Sequence, residues 1–407
     1  MLDPVTLALI LAGSIIIIGF LGNYLFERTT FPDMILLIIL GIIIGPVGGL
    51  VDAASIMNLA PYLAALALVF ILFDGGMAMN LYRVFAESPR AAILAVLGFG
   101  MSVIATTLFM AFIVIPEAPI VYSLLFGTIL GGSSSIVVVS LASRIHVSEK
   151  CSTILSLESA ITDILCIVFS LVAIDIALKG SVDLITIGQS VASRFSIGIV
   201  LGIIFGLAWL GVLKRIAKTS YAYMLTLAIV LLAYAFSESL GGSGSLCSLL
   251  FGIVLGNEKE IYRILRMERP SSTVIDVGLK RFESEIAFLL RTFFFVYIGL
   301  IVTISEIKIV IVGVILSLIL LLARFGAVKI ATARSSELAA ERPIMSVMLT
   351  RGLAAAVLAT LPMQYADENP IFQALSHIYV NIAVLVILAT AIIATVGIPL
   401  LKRKSKK

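Results

Sequence analysis

Thr153-Ile154-Leu155-Ser156-Leu157-Glu158-Ser159-Ala160-Ile161-Thr162-Asp163-Ile164-Leu165-Cys166-Ile167-Val168-Phe169-Ser170-Leu171-Val172-Ala173-Ile174-Asp175-Ile176-Ala177-Leu178 is a single apolar run with carboxylates inside it. A helix needs about 20 apolar residues to cross a hydrocarbon core, so this run is long enough to span one. On a helix turning about 100° per residue, Glu158, Thr162, Ser159 and Asp163 fall at about 0°, 40°, 100° and 140°. One face therefore carries two carboxylates and two hydroxyls, and the opposite face is apolar. Asp163 lies roughly ten residues into the run, about 15 Å deep at ~1.5 Å per residue, near the middle of a ~30 Å core. Ionisable groups at that depth are costly and usually functional. A carboxyl there can be neutral with a proton or charged with a bound cation, so the two ligands compete for one site. Glu158, nearer the surface, reads better as the lasting partner of a basic residue.

The rest of the chain fits a membrane setting. Of its 407 residues 61% are hydrophobic and 13% charged, against about 25% charged in a soluble domain. Apolar periodicity and run length give thirteen spans, at roughly 5–26, 34–51, 59–80, 91–115, 119–142, 153–178, 184–213, 221–238, 241–256, 285–303, 307–331, 344–362 and 376–401. Twenty-one of the 28 lysines and arginines fall in the connections after odd-numbered spans or in the C-terminal tail, and two, Lys179 and Lys308, after even-numbered ones. An excess of Lys and Arg marks cytoplasmic loops. The N-terminus is thus expected outside and the C-terminus, residues 402–407, in the cytoplasm as a basic tail held at the inner surface.

An internal echo organises the spans. Leu40-Gly41-Ile42-Ile43-Ile44-Gly45 in span two and Phe251-Gly252-Ile253-Val254-Leu255-Gly256 in span nine share a small-xxx-small spacing that lets helices approach closely. Seven spans separate the copies, an odd number, so they run in opposite directions, as in the inverted repeats of secondary transporters. The expected organisation is a first repeat at 1–178, a connecting span at 184–213 and a second repeat at 221–401. Span five contains Gly131-Gly132-Ser133-Ser134-Ser135, which favours a break whose carbonyls, hydroxyls and helix ends can bind or screen ions. Counter-charges sit in Arg291 (span ten), Arg324 (span eleven) and Arg351 (span twelve), and Asp74 lies in span three. Arg stays charged, so each arginine needs an acid, a carbonyl or a helix C-terminus.

Several functions are disfavoured. There is no GxxxxGK[ST] for nucleotide-driven pumping, and no nucleophile–base set for an enzyme. His146 and His377 lack metal-ligand spacing, so no resident metal or other cofactor is expected. Cys151, Cys166 and Cys247 read as buried apolar residues. The basic residues suit loops at a lipid surface rather than nucleic acid. A gated cation channel is the alternative from another class, though nothing resembles a selectivity-filter repeat.

The ordered motifs resemble the monovalent cation:proton antiporters, and within them the sodium/proton exchanger branch. Phe31-Pro32-Asp33-Met34 through Gly41 and Gly45-Pro46 looks like the family's second helix. Leu72-Phe73-Asp74-Gly75-Gly76 resembles its Leu-Phe-Glu-Gly-Gly. Glu158-Ser159-x-x-Thr162-Asp163 resembles Glu-Ser-x-x-Asn-Asp. Gly242-Ser243-Gly244 looks like the glycine-rich ninth helix, and Phe293-Phe294-Phe295-Val296-x-x-Gly299 a further family segment. Arg324 and Arg351-Gly352 match two late arginine motifs. The resemblance implies an all-α polytopic fold of about thirteen helices, in two inverted six-helix repeats with spans five and twelve broken and crossing. It implies a homodimer in a prokaryotic plasma membrane, each protomer with a dimerisation domain and a moving core. Asp163 would carry Na⁺ (or Li⁺) and H⁺ in turn, with Thr162, Ser159, Ser133 and Ser134 nearby as ligands and Glu158 paired with Arg324. Two departures stand out: Thr162 replaces the family's Asn, and Ser133-Ser134-Ser135 replaces Thr-Asp-Pro and looks more like the potassium-efflux branch. Exchange of K⁺ for H⁺ therefore stands beside Na⁺/H⁺ exchange.

Overall fold

The computed structural model describes residues 3–29, 33–51, 60–82, 88–134, 147–179, 184–216, 221–264, 277–302, 307–333 and 337–405, with Val138, Thr219, Arg266, Ile275 and Ser335 as single positions. Phe31, Pro32, Arg83, Ser135, Arg144, His146, Lys218, Arg269, Arg334, Lys406 and Lys407, which entered the sequence reading, lie outside the described residues.

Every regular element among the described residues is a helix. All thirteen expected spans coincide with helical segments. Among the described residues, seven helices are long and apolar enough to cross a membrane, and five shorter apolar helices account for spans one, two, three, five and nine. Span twelve is the helix pair Arg342–Val347 and Leu353–Thr360. Span two is Asp33–Ile42 and continues as a π-helical turn over Ile43–Val47 that contains Pro46. Proline has no N–H to donate, which disrupts the regular ladder there. Span thirteen, Pro370–Ser405, runs on through Lys402, Arg403 and Lys404, where cations favour the negative end of the helix dipole.

The described chain divides into two compact units. The first holds Met1–Tyr62, Glu87–Gly180 and Thr292–Lys407. In it, spans four (Ser88–Phe109), five (Ile120–Ile129), six (Glu149–Lys179), eleven (Ile307–Ala331), twelve and thirteen pack side by side. Span two lies directly on the end of span ten: a Cβ on Gly41 would stand 2.8 Å from Gly299 Cα. The second unit holds Leu63–Ala86 and Ser181–Arg291. Its core gathers Phe70, Phe73 and Met77 of span three (Ala60–Ala78) with Trp209, Val230, Phe251 and Leu279 of spans seven to ten. A Cβ on Gly252 would stand 3.0 Å from the Phe73 carbonyl carbon and 3.1 Å from Met77 N, so span nine (Gly244–Gly256) lies on span three backbone to backbone.

Span ten departs most from expectation. Its helix, Val277–Ile301, begins eight residues before the expected start at 285. The extension carries Lys280, Arg281 and Glu283, which lower its hydropathy, but Leu279 is 1% exposed and packs into the second unit's core with Ile286 and Leu290. That apolar stripe at helical spacing holds the extra turns in place.

Candidate ion site at two helix breaks

Span five ends as a helix at Ile129, and Leu130–Ser134 are non-helical. Span twelve opens between Val347 and Leu353. The two breaks meet inside the first unit. Ser134 N donates to Thr350 O at 2.6 Å, and a Cβ on Gly352 would stand 2.5 Å from Ser134 Cβ. Only glycine at 352 allows that approach.

Arg351 bridges the breaks. It is 3% exposed. Its Nη1 donates to the carbonyls of Gly131, at 3.2 Å, and Gly132; Nη2 donates to Ser102 Oγ at 3.1 Å; and its backbone N donates to Thr390 Oγ1 at 3.1 Å. These carbonyls belong to the non-helical residues just past the C-terminal end of the span-five helix, the end at which the helix dipole is negative. Of the partners open to this arginine, carbonyls freed by the break are the ones used. Its electrostatic neighbours include Arg324, Glu158 and Asp163.

Span six supplies the acids. Glu158 is 1% exposed and receives a two-pronged grip, Arg324 Nη1 to Oε1 at 2.7 Å and Nη2 to Oε2 at 3.0 Å. Ser133 Oγ donates to the same carboxylate, 3.2 Å from each oxygen. Arg324 Nε donates to Met345 O at 3.2 Å. Parallel bonds of this kind are among the strongest side-chain contacts. Thr162 Oγ1 donates to Ser159 O at 3.0 Å and accepts from Ser133 N at 3.2 Å. A Cβ on Gly132 would stand 2.8 Å from Cys166 Sγ. The span-five break is thus seated against span six by hydroxyls and small residues. Asp163, five residues past Glu158, is half-buried.

The structure therefore brings together Ser133, Ser134, Glu158, Ser159, Thr162, Asp163, Arg324 and Arg351. Ser133 Oγ is engaged by Glu158, and Ser134 meets span twelve. Asp74 and Arg291 belong to the second unit, where Ser284 Oγ donates to Asp74 Oδ1 at 2.6 Å and Arg291 is an electrostatic neighbour of Asp74. Ser102, Thr390 and the Met345 carbonyl are partners that the sequence reading did not name. Cys151, Cys166 and Cys247 are all buried free thiols.

Similarity to known proteins covers nearly the whole chain. The family model described as sodium/hydrogen exchanger, transmembrane, matches residues 6–404. The K(+)/H(+) antiporter NhaP2 of Shewanella sp. (strain MR-4) is 31% identical over 241 residues, 57% of this chain and 41% of the relative. The NhaP2 of Shewanella baltica (strain OS223) is 27% identical over 392 residues, 93% of this chain and 63% of the relative. The chain thus spans less than two thirds of the length of these curated relatives. The structure of the sodium proton antiporter MjNhaP1 from Methanocaldococcus jannaschii at pH 8 superposes with a TM-score of 0.79 at 21% identity, covering 98% of this chain and 99% of that one. The shared fold is a multi-pass, all-helical membrane architecture, and with the family model matching from one end to the other the chain belongs to the sodium/hydrogen exchanger family.

Proposed function

We propose that this chain is a secondary transporter that exchanges Na⁺ (or Li⁺) for H⁺ by alternating access, with both ligands competing for Asp163. The observation that carries this is a contrast along one helix. Glu158 is fully engaged by Arg324 and Ser133, while Asp163, about a turn and a half further on, keeps accessible surface beside the paired breaks. A buried acid with a bidentate arginine is a fixed charge; a half-buried acid near helix ends can trade a proton for a cation. One exchanging carboxyl gives one proton per monovalent cation, an electroneutral cycle. Ser159 and Thr162 would offer further oxygens to the ion.

The inverted-repeat organisation is part of the proposal. If spans one to six map onto eight to thirteen, the contact of span two with span ten maps onto that of span nine with span three. Glycines make the close approach in both places, Gly41 and Gly299 in one and Gly252 and Gly76 in the other. The exchanger would sit as a homodimer in a prokaryotic plasma membrane, N-terminus outside and C-terminus inside, on the strength of its basic connections.

Asp163→Asn is expected to abolish cation-dependent proton flux in proteoliposomes while the protein stays folded. Full exchange by that variant refutes the assignment. K⁺/H⁺ exchange is the second reading, favoured by the relatives named K(+)/H(+) antiporters and by a break that carries Ser133 and Ser134 in place of a carboxylate. Comparing dequenching of a pH dye on adding Na⁺, Li⁺ or K⁺ separates the two. A salt gradient that drives current and moves no protons would instead support a channel.

A further inference from the structure

Glu283 occupies a core position. It stands on span ten between Leu279 and Ile286, in the stripe that faces the second unit's interior, and is 1% exposed. Neither of its carboxyl oxygens has a hydrogen-bond partner among the described residues, and no ion pair reaches it there. Asp74, from span three, is the charge that acts on it. Asp74 has partners that Glu283 lacks: the Ser284 hydroxyl at 2.6 Å and Arg291 as an electrostatic neighbour.

The other charged or titratable groups around this stretch have employment elsewhere. On span ten, Lys280 is exposed, and Arg281 Nε meets Glu285 Oε1 at 3.0 Å on the solvent side. From span eight, the Tyr223 ring packs at a tilt against Phe282. From span seven, Lys214 Nζ lies over the Tyr262 ring. From the short helix Glu258–Ile264 after span nine, Glu258 Oε2 accepts from Ile275 N at 3.0 Å. A cavity of about 580 Å³ opens at the same end of the unit, lined by Met77, Asn257, Glu258 and Lys280 among others. Met77 and Lys280 stand about one helical turn from Asp74 and Glu283 respectively.

An ionised carboxylate with no counter-charge and no donor is too costly to bury, so such a group is neutralised. Two neighbouring carboxyls also cannot both ionise freely; one keeps a proton. We infer that Glu283 and Asp74 form a second proton-binding site, independent of Asp163, in which Glu283 carries the proton and Asp74 the negative charge. Occupancy needs only the addition of H⁺ to a Glu283 oxygen, with Asp74 as the charge that retains it. On the orientation proposed above, this site takes its proton from the cytoplasm.

The test is infrared spectroscopy of the full chain in lipid nanodiscs at neutral pH, reading the C=O stretch of protonated carboxyls. Asp163→Asn serves as background, so that the outcome is separate from the fate of the Asp163 proposal. In that background Glu283→Gln is expected to remove one protonated-carboxyl band, and Asp74→Asn to shift the band without removing it. A band that survives Glu283→Gln, or that only Asp74→Asn removes, overturns the assignment. So does a Glu283→Gln chain that fails to fold, because a neutral isostere reproduces the proposed state. Titration with NaCl covers the remaining occupant: a melting temperature that rises with Na⁺ only when Glu283 is present, with no protonated band, makes the site a cation site and overturns the proton.

Discussion

Glu158 in the first unit and Glu283 in the second are each 1% exposed, and they are treated in opposite ways. Glu158 in the first unit receives two guanidinium N–H donors and a serine hydroxyl. Glu283 in the second unit, equally buried, receives none among the described residues. The first arrangement fixes a charge and makes it structural: span six is tied to span eleven, and to the broken strand of backbone in span five, at one point. The second leaves the acid to be neutralised from solution. Depth alone does not tell whether a carboxyl works by holding its charge or by changing it. The donors around it decide.

Removing Arg324 is expected to have the largest effect. Arg324→Met leaves Glu158 buried without its partner, and breaking a buried pair costs about 3–5 kcal/mol. A large fall in the thermal midpoint in detergent is expected, with part of it regained in the Glu158→Gln/Arg324→Met double variant, which removes both charges. Glu283→Gln, by contrast, is expected to leave the midpoint nearly unchanged. If the two single variants cost the same, Glu283 is a hidden structural charge and the contrast fails.

What could be read in the sequence follows the same division. Span six was legible because its acids interrupt a long apolar run, so the polar face can be placed by helical geometry alone. The breaks were legible at Gly131-Gly132 and, through the family resemblance, at Arg351-Gly352. What Arg351 holds was not: Ser102 lies 249 residues away in the chain, and no local pattern announces a contact of that range. Glu283 was missed for a different reason. With Lys280, Arg281 and Glu285 around it, the stretch reads as a polar loop by hydropathy. Only the spacing of Leu279, Ile286 and Leu290 carried the helical signal, and Glu283 fills the place in that stripe where an apolar residue is expected.

Both units also bring helices together at a glycine. Gly41 meets the backbone of Gly299 in the first, and Gly252 meets that of Phe73 and Met77 in the second. Neither obstacle is the far end of a flexible side chain, so an added methyl forces backbone to shift. Overpacking of this kind costs about 1–3 kcal/mol. Gly41→Ala and Gly252→Ala are expected to lower the thermal midpoint by similar amounts, as matching contacts of an inverted pair should. A large loss from one and none from the other would argue that the two contacts are not counterparts.

The smallest effect is expected at the surface, where the first unit has an exposed lysine–glutamate pair to set against the buried, two-pronged Glu158–Arg324 pair. Lys150, at the start of span six, meets Glu337 in the connection before span twelve, with side chains 40% and 71% exposed. The Lys150 hydrogen bond and charge hold the Glu337 carboxyl below its usual range. A lowered value in the folded chain means that any stabilisation is present above the ordinary carboxylate range and is lost as pH falls through the lowered one. Solvent and salt screen such pairs strongly. Glu337→Gln is therefore expected to shift the thermal midpoint barely or not at all at neutral pH, and not at all in acid, where the native carboxyl is neutral too. A neutral-pH loss approaching that of Arg324→Met would show that the connection between spans six and twelve bears load, and burial would then no longer separate the strong pair from the weak one.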